Sequence, residues 1–209
     1  MGVLLTGPAR RAGVACVLAV TLARPPALAE TRLVCVDGPA GSGKTTLAGV
    51  LAELAVEHGS VALLHMDDLL EGWRGLPGAL PRVARDLIDP LRAGRPGSYR
   101  SYDWAEGRFA ETRTVDPVDV LVLEGVGSGG SAYDDAITTL VWVEVPRDLR
   151  LVRGMERDGE QMRSHWLTWM EDEEAVHARE RTRERADVLV DGTGATAPVL
   201  RHRAGRSST

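Results

Sequence analysis

Between an apolar run at Leu33–Val36 and the helical pattern Leu47, Val50, Leu51 and Leu54 lies Gly38-Pro-Ala-Gly-Ser-Gly-Lys-Thr45. The leucines and valine after it recur at i, i+3, i+4 and i+7, one face of an amphipathic helix. Strand, glycine-rich turn and helix in that order open a βαβ unit, which restricts the chain to a mostly parallel sheet with helices on both faces. Glycines 38, 41 and 43 let the backbone wrap around an anion, and the N–H groups at the helix start face it with the positive end of the helix dipole. The spacing G-x-x-x-x-G-K-[ST] makes Gly38, Pro39, Ala40, Gly41, Ser42, Gly43, Lys44, Thr45 and Thr46 the expected cradle for a nucleoside triphosphate. Thr45 supplies a hydroxyl for Mg²⁺, and Lys44 reaches the β- and γ-phosphates.

Lys44 is the only lysine among 25 basic residues. Asparagine is absent, Gln161 is the one glutamine, and Ala, Gly and Arg abound, as in GC-rich coding. A composition that uses arginine elsewhere retains lysine where a compact ammonium fits between phosphates and a planar guanidinium does not. Without asparagine, and with the lysine committed, the Asn-Lys-x-Asp base reader of guanine-specific switches cannot exist here. A net charge of −5 argues against a nucleic-acid surface. Cys16 and Cys35 show neither disulfide nor metal spacing, and Cys35 reads as a buried strand residue.

Apolar runs at Leu33–Val36, Val61–Met66, Val120–Leu123, Leu140–Val145 and Val188–Val190 predict a five-stranded sheet. The predicted domain runs over 31–193. Residues 71–116, rich in Gly, Pro and Arg and holding Trp73, Tyr99, Tyr102, Trp104 and Phe109, predict an inserted acceptor lobe. Residues 147–163 predict a lid, and 194–209 a frayed tail. Residues 1–30 form an extension that imitates an export signal through Arg10-Arg11, an apolar stretch and Ala27-Leu28-Ala29, or else an extra helix. The nucleotide motif favours a cytoplasmic protein, and the apolar stretch is too short for a membrane span.

Val61–Met66 ends in Asp67-Asp68, placing Asp67 where a base takes a proton from an acceptor hydroxyl. Asp68 is a helix cap or an acceptor ligand. Val120–Leu123 ends in Glu124, an acid placed to hold Mg²⁺ directly or through water. Arg150, Arg153 and Arg157 share one helical face, and a lid carrying them neutralises transition-state charge and excludes water. Trp166 and Trp169 read as core packing, Glu171–Glu174 as a solvated helix face, and His65 as a core residue.

With "DGPAGSGKTT", "HMDDLL", "YDW", "VLVLEG", "RDLRLVRGMERD" and "RADVLVDGTG", the chain resembles the uridine kinase-like P-loop kinases from about Thr31 to Thr193. The resemblance implies a P-loop NTPase three-layer sandwich, Asp67 as base, Glu124 at Mg²⁺, and lid arginines at 150, 153 and 157. It also places the acceptor segment's Tyr-Asp pair at Tyr102 and Asp103. Uridine-specific members tend to carry Phe-Tyr after the base and a histidine after Tyr-Asp, where this chain has Leu69-Leu70 and Ala105–Arg108. Asp103 and Glu106 beside Tyr102 and Trp104 suit hydroxyls or a cation, whereas the cluster Arg92, Arg95, Arg100, Arg108 and Arg113 suits an acceptor phosphate.

The expected activity is transfer of the γ-phosphoryl of ATP, with Mg²⁺, to a hydroxyl of a small metabolite such as a nucleoside. The alternatives are a nucleoside monophosphate kinase and a nucleotide-binding regulator of a protein partner. The expected partner is a small-molecule acceptor, with no nucleic acid and no membrane, and a homo-oligomer stays open.

Overall fold

A computed structural model describes residues 8–201 of the chain. In order, it comprises α1 (Pro8–Leu22), β1 (Arg32–Asp37), α2 (Lys44–Ala55), β2 (Val61–His65), α3 (Leu76–Val83), α4 (Asp89–Arg92) and the hairpin β3 (Gly97–Asp103) with β4 (Arg108–Val115). There follow β5 (Val120–Glu124), β6 (Ile137–Glu144), α5 (Arg147–Asp158), α6 (Arg163–Glu180), α7 (Thr182–Arg185), β7 (Val188–Asp191) and β8 (Val199–Leu200).

The main sheet has the order β2-β5-β1-β6-β7-β8. Its first five strands are parallel, with Leu33 opposite Leu121 on one side of β1 and Val36 opposite Val141 on the other. Alternate residues serve opposite faces, as period-2 strand geometry requires. Val34, Val36, Val120, Val122, Val141 and Val143 pack with Leu47, Ala48 and Leu51 of α2 and with Val14 and Val17 of α1. Leu33, Cys35, Leu121, Leu123 and Leu140 face the other core, with α3 and Trp169 and Val176 of α6.

All five strands read from the sequence are present. β6 starts earlier than expected, at Ile137, because Thr138 and Thr139 are polar residues buried inside a strand. The Thr21 hydroxyl of α1 donates to the Val17 carbonyl at 2.8 Å and lies 3.0 Å from Thr139 Oγ1, tying the helix to that strand. The sheet also gains a sixth strand. The Asp191 carboxylate accepts from the N–H groups of Thr193, Ala195 and Thr196, and this turn brings β8 back antiparallel to β7. The tail beyond 201 and the extension before 8, including part of the signal-like reading, lie outside the described residues. Among the described residues no helix is long and apolar enough to cross a membrane. The insert at 71–116 holds α3, a π-helical turn at Ala84–Ile88, α4 and the β3–β4 hairpin.

Candidate active site

β1, β2 and β5 end side by side, and their carboxyl ends carry the predicted chemistry, as in other open parallel sheets. The loop after β1 needs glycine for physical reasons. Gly38 has φ 140°, and a Cβ there would lie 2.1 Å from the Val143 carbonyl oxygen; Gly43 precedes α2 at φ 97°. Lys44 is buried, and its Nζ donates to the Pro39 carbonyl at 3.0 Å, so the ammonium sits within the loop. The Thr45 hydroxyl is 3.2 and 3.3 Å from the two oxygens of Glu124, bringing together the two residues expected to hold Mg²⁺.

His65 completes this cluster. Its Nδ1 lies 2.5 Å from Glu124 Oε1, and that hydrogen bond, with the nearby carboxylates, raises the imidazole above its ordinary pKa. The reading of His65 as a core residue is thereby corrected. β2 and β5 run parallel, and His65, the last residue of β2, stands in register opposite Glu124.

Asp67 follows in a single 3-10 turn, Met66–Leu69. Asp67 is exposed to the cavity it lines, and desolvation by the surrounding walls, then the Glu124 charge, push its carboxyl above the ordinary aspartate value, against Lys44, Arg157 and His65. A carboxylate raised in this way suits a general base. Asp68 lines the same cavity but is paired, 2.7 Å from Arg113 and 3.5 Å from the Tyr99 hydroxyl.

The remaining acceptor candidates divide. Trp104 lines the cavity, and its Nε1 donates to the Asp67 carbonyl at 3.0 Å. Tyr102 is spent in edge contacts with Trp104 and Phe109. The Asp103 carboxylate accepts from the N–H groups of Ala105 and Glu106, and Arg108 pairs with Glu106. These last three close the hairpin turn and do not line the cavity, because Gly107 lets the strands reverse immediately after Asp103.

The three lid arginines also part company. Arg150 is buried, its guanidinium 2.6 Å from Glu173 of α6, so it serves as an internal strut and not as a free lid cation. Arg153 donates to the Gly41 carbonyl at 2.9 Å and lines the cavity. Arg157 lines it too, pairs with Asp158 at 2.8 Å, lies over the Trp166 ring and acts electrostatically on Asp67.

Several working residues escape a sequence reading. Glu173 reads as one of a solvated acidic run, yet it is 1% exposed and accepts from the Ala40 N–H at 2.7 Å. The available signal is its spacing: with Trp166, Trp169, Met170, Val176 and His177 it shares the buried face of α6. Trp166 and Trp169 are core residues, as expected, and also line the cavity.

Asp37, just before the loop, is fully buried and accepts from the N–H groups of Gly38, Gly127 and Gly129, with His177 Nε2 at 3.1 Å. Burial pushes its carboxyl up, but the His177 charge and hydrogen bond and the Gly129 and Gly38 N–H groups outweigh it, and the pKa ends below the ordinary value. Its stabilisation is therefore complete above the unfolded aspartate pKa of about 3.9 and is lost as pH falls through the lower folded value. Urea unfolding at a series of acidic pH values should show Asp37→Asn about 2–4 kcal/mol less stable than wild type at pH 7 and flatter below pH 4. An unchanged acid limb would remove Asp37 from this role.

Glycine loop, Asp67, Glu124 and the tryptophans enclose a cavity of about 1090 Å³. No family model matches the chain. Among curated proteins, the chain is 30% identical to the uridine kinase of Latilactobacillus sakei over 142 residues, 61% of this chain and 67% of that one. It is 26% identical to the uridine kinase of Mycoplasma pneumoniae over 181 residues, 76% of this chain and 84% of that one. Among solved structures, a possible uridine kinase from Bacillus stearothermophilus superposes with TM-score 0.65 at 23% identity, covering 87% of this chain and 98% of that one. A putative fructose transport system kinase from Silicibacter sp. TM1040 superposes with TM-score 0.57 at 22% identity, over 83% and 94%. The superpositions carry the fold, and the sequence matches carry the family. The chain belongs to the uridine kinase-like P-loop kinases and is an ATP-dependent small-molecule kinase.

Proposed function

We propose that the enzyme transfers the γ-phosphoryl group of ATP, with Mg²⁺, to a hydroxyl of an unphosphorylated small molecule, with nucleosides the first class to test. The observation that carries this reading is the division of charge in the cavity. Its lining cations, Lys44, Arg153 and Arg157, belong to the glycine loop and α5, whereas the insert contributes Trp73 and Trp104 and no arginine. Arg92 pairs with Asp135, Arg100 donates to the Phe109 carbonyl, and Arg108 and Arg113 pair with Glu106, Asp68 and Glu111. An acceptor phosphate would meet tryptophan faces and Asp67, Asp68 and Glu156 instead of guanidinium groups. The monophosphate kinase reading loses its support there.

The residues fit the reaction's requirements. Thr45 and Glu124 offer the hydroxyl and carboxylate oxygens that Mg²⁺ prefers, and the glycine loop with Lys44 fits phosphates. Bound Mg²⁺ would neutralise charge on the β- and γ-phosphates. Asp67 accepts the acceptor's hydroxyl proton, and Lys44, Arg153 and Arg157 compensate charge on the transferring group. The tryptophan wall keeps water from competing as the acceptor.

An acceptor screen tests this. ADP release should rise by about 10²-fold or more over background hydrolysis with one class of hydroxyl compound, yielding its phosphate ester. Stimulation confined to nucleoside monophosphates, or to a protein, would replace this reading.

A further inference from the structure

Glu173 stands where three parts of the enzyme meet. One carboxylate oxygen, Oε2, accepts from both the Ala40 N–H of the glycine loop at 2.7 Å and the Trp169 Nε1–H at 3.0 Å, while Oε1 accepts from Arg150 of α5 at 2.6 Å. Arg150 also reaches the Ala40 carbonyl at 3.4 Å, and a Cβ on Gly41 would touch the Arg150 backbone at 3.0 Å, so α5 lies directly on the loop. A buried carboxylate beside an anion cradle would repel phosphate unless neutralised, and Arg150 neutralises it. Because two donors share one oxygen, displacing either alters the hydrogen bond of the other.

The contacts continue on the acceptor side. Trp169 meets the Trp73 ring edge to face at a centroid distance of 5.9 Å, and Trp73 meets Trp104 the same way at 5.9 Å. Trp104 in turn donates to the backbone of Asp67. A continuous series of packed groups therefore runs from Ala40 in the donor loop to the proposed base.

We infer that Glu173 is a positioning residue that couples occupancy of the glycine loop to the tryptophan wall and to Asp67. The inference rests on the proposed binding of ATP in that loop. Nucleotide drawing the Ala40 backbone inward pulls on Oε2, and Trp169, Trp73 and Trp104 adjust together. An acceptor seated against the wall stiffens the loop by the reverse route, since such coupling is reciprocal.

The test uses ¹H–¹⁵N spectra of the full chain, whose 5 tryptophans give separate indole N–H peaks, assigned by Trp→Phe substitutions. The probe is Mg²⁺ with β,γ-imido-ATP. In wild type, saturation should move the Trp169 and Trp104 indole peaks. In Glu173→Gln the Trp104 response should vanish, and calorimetry should show the analogue binding about tenfold more weakly. Should Glu173→Gln fail to fold, Trp169→Phe keeps Arg150–Glu173 and removes the indole donor together with the part of the ring that phenylalanine lacks. It should shift the Ala40 amide peak and abolish the Trp104 response. A Trp104 response that survives in whichever variant folds overturns the coupling, because a simple structural brace would not silence it. If wild type does not bind the analogue at all, the kinase reading of the loop falls and the coupling falls with it.

Discussion

Lys44→Arg is expected to abolish phosphoryl transfer although it preserves charge. The ammonium is buried, 3.0 Å from the Pro39 carbonyl inside its own loop. The loop has little freedom to widen, since Gly38 is pressed against the Val143 carbonyl and α2 is packed on the sheet through Leu47, Ala48 and Leu51. A guanidinium is broader and planar, and it has to leave the cradle or open it. Cationic stabilisation of a transferring phosphoryl group is worth roughly 10³–10⁵ in rate, so kcat should fall by at least about 10³-fold. Steady-state ADP release with the identified acceptor measures this, with circular dichroism to show that the variant is folded. Retained activity in Lys44→Arg would overturn the placement of Lys44 between the phosphates.

Asp67→Asn should separate chemistry from binding. The carboxylate follows β2 and feels the charges of Glu124 and Lys44, and an asparagine there cannot take a proton. Loss of a positioned base costs about 10²–10⁴ in kcat. Binding of β,γ-imido-ATP, held by the loop, should change by less than about threefold, as for an interaction made only in the transition state. The raised pKa of Asp67 also sets a sign. Activity increases with pH as this carboxyl loses its proton, and the acid limb of kcat/KM lies above the ordinary aspartate value of 3.8. If Asp67→Asn loses nucleotide affinity and kcat in equal measure, Asp67 is a binding residue and not the base.

The donor half of the site was legible because its chemistry is local. A strand, a glycine-rich turn and a helix follow one another without a gap, so Lys44 and Thr45 are placed by the segment that contains them. Asp67 and Glu124 were legible for a related reason. Glu124 is the last residue of β5 and Asp67 stands in the turn just after β2, and parallel strands deliver their carboxyl ends to one edge. Arg150, Arg153 and Arg157 show the limit of such reasoning. Helical spacing put them on one face, but only the packing of α5 against the loop and α6 buries the first, ties the second to Gly41 and leaves the third beside Asp67.

By itself, the order of residues determined the parallel sheet, the phosphate cradle and the two acids, since period-2 burial, glycine stereochemistry and a strand-end carboxylate are properties of short segments. Tertiary structure alone decided what Asp37, His65, Glu173 and the tryptophans touch. Glu173 is 133 positions from the Ala40 N–H it holds, and His65 is 59 from Glu124. Whether such a group is a solvated charge, a core side chain or a working part depends on what is folded against it, and neither helix period nor strand period encodes a partner on another element.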